Sequence, residues 1–95
     1  MENEYFVYIL RSELNGKTYT GFTTDLKKRL SQHNENSSGY TKGRGPWILI
    51  WYGVFCDRIM AERFESYLKS GSGYAFARKR LINGKEVLRS YEGAK

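Results

Sequence analysis

Five side chains have residue types and spacings that could bring them together for chemistry. Tyr8 and Tyr19 fall on the same face of two predicted neighbouring strands, so their phenol oxygens could lie on one side of a sheet. Arg29 and His33 are four residues apart and share one face of a predicted helix. Glu65 lies at the edge of the apolar stripe of a later helix. Such groups can transfer protons or hold anions and metal ions, although each residue alone is more common as a packing or surface residue.

The strands that would position the two tyrosines are predicted by runs of β-branched and aromatic residues. Residues 5–11 and 17–22 each form such a run, and the Asn-Gly pair between them is typical of a β-hairpin. Residues 47–55 form a third run, which opens after Pro46 and is apolar at successive positions. Because both of its faces are apolar, we expect this strand to lie in the middle of the sheet.

Three helices are predicted from apolar spacing and capping residues. The first spans residues 25–34. Asp57 is expected to cap the second helix. The apolar positions of that second helix are Ala61, Phe64 and Leu68. The Gly-Ser-Gly stretch at 71–73 is expected to break it, and a short third helix is predicted over residues 74–81.

The order β-β-α-β-α-α predicts an α+β fold with a small, three-stranded, mainly antiparallel sheet flanked by helices. A chain of 95 residues is long enough for one domain. We expect that domain to span residues 1–82 and to be followed by a polar C-terminal tail at residues 83–95.

The net charge of the chain favours a polyanionic partner. The sequence carries a formal charge of +6, and neutralising phosphates would release counterions. The same charge could instead serve solubility alone. No window approaches the run of about 18 apolar residues that a membrane span needs, so no membrane partner is expected. Composition and spacing thus indicate a basic α+β domain that could bind nucleic acid.

The single cysteine and the N-terminal residues bear on the compartment. Cys56 has no second cysteine with which to form an internal disulfide, which is typical of a reducing compartment. The first residues are acidic and polar, unlike a signal peptide. We therefore expect a cytoplasmic location, with Cys56 as a small core residue and not a nucleophile.

Several short motifs in this sequence occur together in one known family. They are Val7-Tyr8, Tyr19-Thr20-Gly21, the run from Thr24 to Arg29 with His33 four residues on, Pro46-Trp47, Ala61 with Glu65, and Leu68-Lys69-Ser70-Gly71. Together they resemble the GIY-YIG nuclease superfamily, in particular its short stand-alone bacterial members and the nuclease domain of the bacterial excision-repair incision subunit. The resemblance runs from about Tyr5 to Leu81. The first motif lacks the family's glycine and isoleucine, Thr20 replaces an aliphatic residue, and a late family asparagine has no clear match except Asn83.

The resemblance implies a metal-dependent endonuclease that hydrolyses phosphodiester bonds in nucleic acid, with DNA as the expected substrate. It implies a catalytic set of Tyr8, Tyr19, Arg29, His33 and Glu65. Glu65 would be the protein ligand of a single Mg²⁺ or Mn²⁺ ion. Tyr8, with Tyr19 beside it, would be the general base, although a metal-bound water could share or replace that role. Arg29 would hold the phosphate and favour the phenolate, and His33 would relay a proton near neutral pH.

A second set of residues is expected to contact nucleic acid. It comprises Gly21, Lys28, Tyr40, Lys42, Arg44, Lys69 and Arg78. Without a Cβ, Gly21 would let the backbone approach a phosphate or a helix, or it could mark a simple bulge. Tyr40 could stack on a base if the polar segment 34–46 wraps the backbone, and otherwise that segment is a mobile solvated loop. Arg78 could extend this surface or simply lie on the exposed face of the last helix.

Two other functions remain open on the sequence. The domain could be a non-catalytic nucleic-acid-binding or assembly module, because little sequence outside the nuclease core is left to recognise a specific site. A protein partner would then supply specificity. A small-molecule enzyme is disfavoured, since the chain has no cofactor fingerprint and its charge suits a polyanion better.

Overall fold

The computed structural model describes residues 3–35, 39 and 41–82. Its strands are β1 (Tyr5–Ser12), β2 (Thr18–Thr23) and β3 (Trp47–Phe55), and its helices are α1 (Leu26–Asn34), α2 (Arg58–Leu68) and α3 (Gly71–Phe76). A π-helical segment, Ala77–Ile82, continues directly from α3. The predicted α+β class and element order are therefore confirmed. The predicted tail at 83–95 lies outside the described residues.

The three strands form one antiparallel sheet in the order β2-β1-β3. The hairpin between β1 and β2 turns at Gly16, whose φ is +78°, and the Asn15 side chain accepts a hydrogen bond from the Lys17 amide. The prediction that residues 47–55 form the middle strand is wrong, because β1 is central and β3 is at an edge. The apolar residues on both faces of β3 reflect a helical layer on each side of the sheet.

Side-chain alternation along β1 divides the core into two layers. Val7 and Ile9 lie on the face covered by α2 and the π-helical segment, whereas Tyr8 and Leu10 lie on the face covered by α1. The first layer also contains Ile48, Ile50, Ala61, Leu68 and Ala77, and the second contains Leu26, Trp47 and Leu49. The expected shared face of Tyr8 and Tyr19 is confirmed, because Tyr19 packs against the second layer.

Aspartate caps fix where the first two helices begin. The Asp25 carboxylate accepts a hydrogen bond from the Lys28 amide at 3.1 Å, and the Asp57 carboxylate accepts one from the Ile59 amide at 3.2 Å. These bonds satisfy amides that have no partner within the helix. Across the described residues, every helix is too short or too polar to cross a membrane.

The junction between α2 and α3 differs from the sequence expectation. The glycines at 71–73 were expected to break the helix, but α2 ends at Leu68 and residues 71–73 form the first turn of α3. Ser70 caps α3 by accepting a hydrogen bond from the Gly73 amide at 3.1 Å. A Cβ on Gly73 would overlap the Tyr67 carbonyl, so this glycine allows α3 to pack closely against the end of α2.

The expectation that Cys56 is a small core residue is wrong. Cys56 is exposed and follows the last residue of β3. Cys56 lies between the end of β3 at Phe55 and the N-cap of α2 at Asp57, outside both core layers. The residue is a free thiol.

We predict that Gly73→Ala destabilises the fold by about 1–3 kcal/mol, because the added methyl group must displace backbone. Gly71→Ala is the matched control, since a Cβ at Gly71 meets no atom within 4 Å. Urea unfolding of both variants measures the difference. Equal stability of the two variants would contradict the close approach of α3 to α2.

Candidate active site

A chain of buried hydrogen bonds joins β1, α1 and the loop after α1. The Tyr8 hydroxyl lies 2.8 Å from His33 Nε2, and His33 Nδ1 lies 2.6 Å from Thr41 Oγ1. Tyr8 is 1% exposed, and His33 and Thr41 are fully buried. Both ring nitrogens of His33 therefore have a partner inside the protein.

The neighbouring Arg29 favours one direction for these hydrogen bonds. Its guanidinium hydrogen-bonds to Tyr8, and because a guanidinium can only donate, the phenol oxygen accepts that bond. The Tyr8 proton is then paired if it is donated to His33 Nε2. A neutral imidazole that accepts at Nε2 carries its proton on Nδ1, where it donates to Thr41. This arrangement pairs the Tyr8 hydroxyl hydrogen and the His33 ring hydrogen, and no buried side-chain nitrogen or oxygen of the described residues lacks a partner.

His33 is held in its neutral form. Burial lowers the pKa of His33 from 6.5 to about 4, and the nearby positive charge of Arg29 adds to the effect. The expectation that His33 titrates near neutral pH is therefore wrong. The reason is that an imidazolium would have to be buried beside a guanidinium, whereas a neutral ring fits the two hydrogen bonds.

Tyr8 is likewise held as a neutral phenol. Burial raises the pKa of Tyr8 from 10.0 to about 12, and this outweighs the hydrogen bond from Arg29, which lowers it. Tyr19 and Glu65 raise the Tyr8 pKa slightly further. The expectation that Arg29 favours the phenolate is correct in direction, but the cost of burying a phenolate is larger.

Arg29 and Tyr19 border the buried chain on its more accessible side. Arg29 is half-buried and donates a hydrogen bond to Gln32 Oε1 at 3.0 Å. The Tyr19 ring is half-buried and meets the His33 ring edge-on, with centroids 5.2 Å apart and an interplanar angle of 61°. The predicted common face of Arg29 and His33 on α1 is consistent with their contacts to Tyr8.

Gly21 makes room for the Tyr8 phenol. The two residues are directly paired across β1 and β2, and a Cβ on Gly21 would overlap the Tyr8 hydroxyl and its ring carbon Cζ. The sequence suggested that Gly21 lets backbone pass near a phosphate or helix, or marks a bulge. The structure gives Gly21 a packing role, because a larger residue would push Tyr8 away from His33, and the approach of its backbone to a phosphate stays a prediction.

The loop before β3 is tied to the body of the domain at several points. The Trp47 indole donates to the Thr41 carbonyl at 3.1 Å, and the Ser12 hydroxyl donates to the Arg44 carbonyl at 2.7 Å. The Asn34 side chain pairs with the Trp47 backbone through bonds of 2.7 and 3.2 Å. The described part of this loop is therefore anchored, which differs from the mobile solvated loop considered above.

Thr41 is the main residue of the site that the sequence reasoning missed. A threonine in a polar glycine-rich segment is ordinarily exposed, yet Thr41 is fully buried and completes the pairing of His33. The aromatic Trp47 six residues later was the available signal, because its indole needs an acceptor when buried.

Glu65 lies beside a lysine at the edge of the site. Its carboxylate is 2.8 Å from Lys69 Nζ, one turn along α2, and the Glu65 side chain is 21% exposed. Lys69 Nζ also lies 6.0 Å from the centroid of the Tyr19 ring. Glu65 belongs to α2, which covers one face of the sheet, whereas the two tyrosines lie on the other face. At the edge strand β2 these residues come close together.

A metal ion at this place would have Glu65 as its one protein carboxylate. Among the described residues, no group of three or more histidine, cysteine, aspartate and glutamate side chains could enclose a metal. A single carboxylate suits Mg²⁺, which keeps several waters and accepts phosphate oxygens as further ligands. The residues present therefore fit a sparsely coordinated hard cation, with Lys69 as a competing partner for the carboxylate.

The remaining predicted contact residues are spread around this centre. Lys28, Lys42 and Arg44 are exposed, the first on α1 and the others on the anchored loop. Arg78, in the π-helical segment, is exposed and approaches the Tyr74 hydroxyl at 3.4 Å. Tyr40 and Asn83 lie outside the described residues, so the base-stacking role considered for Tyr40 stays a prediction.

Comparison with known proteins identifies relatives that match most of this chain. A family model of the GIY-YIG catalytic domain matches residues 4–79. A UPF0213 protein from Clostridium perfringens is 38% identical over 65 residues, which cover 67% of this chain and 69% of that protein. A UPF0213 protein from Nitratidesulfovibrio vulgaris is 39% identical over 66 residues, 68% of this chain and 59% of that one.

Two further relatives are a human enzyme subunit and a solved structure. The human structure-specific endonuclease subunit SLX1 is 37% identical over 67 residues, which cover 64% of this chain and 24% of that protein. The solution NMR structure of the UPF0213 protein BH0048 from Bacillus halodurans shares 32% identity with a TM-score of 0.51. The structural match covers 97% of this chain and 94% of the BH0048 chain.

We predict that Thr41→Val destabilises the fold by about 1–3 kcal/mol, because it leaves the buried His33 Nδ1–H without an acceptor. Thr41→Ser is the control, since it keeps the hydroxyl and loses only a methyl group. Urea unfolding measures both variants. If the valine variant is as stable as the serine variant, the hydrogen bond to His33 does not contribute to stability.

Lowering the pH below about 6.5 is expected to reduce the free energy of unfolding. The reason is that His33 binds a proton below about pH 6.5 in the unfolded chain but only below about pH 4 in the folded protein. Within that pH range, protonation of His33 in the unfolded chain lowers the free energy of unfolding by up to about 1.4 kcal/mol for each unit that the pH falls. His33 is the chain's one histidine, so NMR of its ring resonances reports it directly. A titration midpoint near 6.5 in the folded protein would contradict this interpretation.

Proposed function

This chain belongs to the GIY-YIG catalytic-domain family, and on that basis we propose that it is a nuclease that hydrolyses phosphodiester bonds in DNA with one divalent cation, Mg²⁺ or Mn²⁺. The observation that carries the proposal is the grouping of Arg29, Tyr19 and Glu65 around the buried Tyr8–His33 pair. The human relative, a structure-specific endonuclease subunit, supports the same reaction class.

Arg29 is the group that holds the scissile phosphate in this proposal. A guanidinium can donate two parallel hydrogen bonds to phosphate oxygens and remains charged at all relevant pH values. Tyr8 and Gln32 accept hydrogen bonds from Arg29, which fixes the direction of its remaining donors. Pre-oriented charge of this kind stabilises a phosphoryl transition state without reorganisation during the reaction.

The two tyrosines take different roles. Tyr19 is half-buried and lines an open cleft, so a bound phosphodiester and an attacking water can reach it. Tyr8 is buried, and its high pKa makes it a poor proton acceptor at neutral pH. We therefore assign Tyr19 to the contact with the attacking water, and Tyr8 and His33 to positioning Arg29 and Tyr19.

Glu65 would hold the divalent cation. When bound, the ion supplies positive charge against the phosphate and acidifies water at the site. Lys69 must then give up its contact with the carboxylate, and its ammonium group becomes available for a neighbouring phosphate. The exposed Lys28, Lys42 and Arg44 extend the positive surface along which the nucleic-acid backbone would lie.

A non-catalytic binding module is the second candidate function. The observation in its favour is the Glu65–Lys69 ion pair, which already neutralises the carboxylate that a metal would need. Such a module would bind phosphates with a steep salt dependence, and a protein partner would supply the specificity. It would work equally well without Glu65 and without Mg²⁺.

We predict that Glu65→Gln lowers the cleavage rate at least about 100-fold while nucleic-acid binding is retained. Glu62→Gln is the matched control, because it makes the same charge change on α2 at a residue that pairs with Arg58 away from the site. Cleavage of plasmid, single-stranded, branched and RNA substrates is measured with Mg²⁺ or Mn²⁺. Equal cleavage by both variants would exclude Glu65 as the metal ligand, and binding without cleavage by the wild type supports the binding module.

A further inference from the structure

An open cleft of about 600 Å³ lies next to the candidate active site, between β2 and the α2–α3 junction. Its lining includes the aromatic rings of Tyr19 and Tyr74, the buried Leu68, and the polar residues Thr18, Thr20 and Lys69. The volume is in the range of small-ligand sites, about 300–1,000 Å³.

The cleft is continuous with the catalytic groups through two shared residues. Tyr19 meets His33 edge-on at 5.2 Å and also lines the cleft. Lys69 lines the cleft and contacts the Glu65 carboxylate at 2.8 Å. Whatever occupies the cleft therefore lies beside the phosphate that Arg29 and a cation on Glu65 would hold.

The chemistry of the cleft suits a nucleobase. Aromatic rings provide stacking surfaces that accept every base, and the ammonium group of Lys69 lies where an adjoining phosphate could be contacted. Threonine hydroxyls can donate or accept hydrogen bonds, so they do not select one base edge. Of the side-chain types that commonly contact base edges, the described lining of the cleft has Lys69 and the hydroxyls of Thr18, Thr20 and Ser70, and it has no Asn, Gln, Asp, Glu or Arg.

Tyr74 is held at the cleft by its neighbours on α3 and beyond. It is 49% exposed, so a large part of its ring is available to a ligand. Gly73 allows α3 to pack onto the end of α2, and Arg78 lies 5.8 Å from the Tyr74 ring centroid. Stacking of a base on this ring would bury apolar surface that the fold leaves exposed.

We propose that this cleft binds an unpaired nucleobase next to the scissile phosphate, so that the substrates are nucleic acids with an extrahelical or single-stranded nucleotide at the cleavage position. The proposal rests on the proposed nuclease function. A base within a continuous duplex is stacked between its neighbours and would have to leave the helix to enter the cleft, which costs a few kcal/mol. An unpaired base avoids most of that cost, which makes the cleft selective for the shape of the substrate and not for its sequence.

The test compares binding of a fully paired duplex with binding of the same duplex carrying one unpaired 2-aminopurine. It is done in the Glu65→Gln background, so that binding is read without cleavage. We expect about tenfold tighter binding of the unpaired substrate, with quenching of the 2-aminopurine fluorescence. Tyr74→Ala should abolish both the preference and the quenching, whereas Tyr74→Phe should keep both because it retains the ring.

Phe76→Ala serves as the off-site control, since Phe76 is an exposed aromatic residue of α3 that contacts Tyr67 and is not among the residues lining the cleft. Retention of the preference in Tyr74→Ala, or its absence in the Glu65→Gln parent, would overturn the base site. Binding is also measured for the same paired and unpaired substrates made of RNA. Comparison with the DNA pair shows whether the cleft prefers a base from DNA or from RNA. Cleavage by the otherwise wild-type protein is measured separately, so a failure of the nuclease proposal is distinguishable from a failure of the cleft.

Discussion

The hydrogen-bond chain from Tyr8 through His33 to Thr41 is the constraint on which the rest of the site depends. It joins the central strand, the first helix and the following loop, and its members are buried, so each polar atom must find a partner inside the protein. Gly21 leaves the space that the Tyr8 phenol fills, and Trp47 fixes the Thr41 backbone. A change at any of these positions leaves a buried polar group unpaired or displaces Tyr8. These contacts therefore hold the candidate site of this small domain in one geometry.

Tyr8 and His33 support the fold because they are buried and hydrogen-bonded. The same burial makes both groups poorly suited to proton transfer near neutral pH. Desolvation moves both pKa values away from neutrality, upward for the phenol and downward for the imidazole. The groups proposed to act on a substrate lie around this pair, at Arg29, Tyr19 and Glu65, whose side chains are partly exposed. In the proposed reaction, proton transfer would therefore depend on the charge brought by the phosphate and the cation.

The sequence predicted those features of the fold that local patterns determine. Alternation along residues 5–11 assigned Val7 and Tyr8 to opposite faces, and the caps at Asp25 and Asp57 located two helices. Strand order was not predictable in the same way, because an edge strand covered by helices on both faces is as apolar as a central one. The pKa shifts and the burial of Thr41 depend on packing between distant segments, which spacing along one chain does not contain. The family resemblance supplied the set of site residues, and the geometry divided that set into buried and accessible members.

The anchoring of the loop before β3 bears on how such a small protein can discriminate between substrates. Thr41 ties this loop to His33, and the Arg44 carbonyl is held by Ser12, so the loop cations and the tyrosines belong to one packed unit. A site that is already packed before its ligand arrives gains little from closing around it, so in the proposed function the nucleic acid would supply the change of shape. The cost of deforming a continuous duplex is absent where a nucleotide is already unpaired. In the proposed base site, selectivity for substrate structure would rest on the cost of unstacking a base, and not on Asn, Gln, Asp, Glu or Arg side chains, which are absent from the described lining of the cleft.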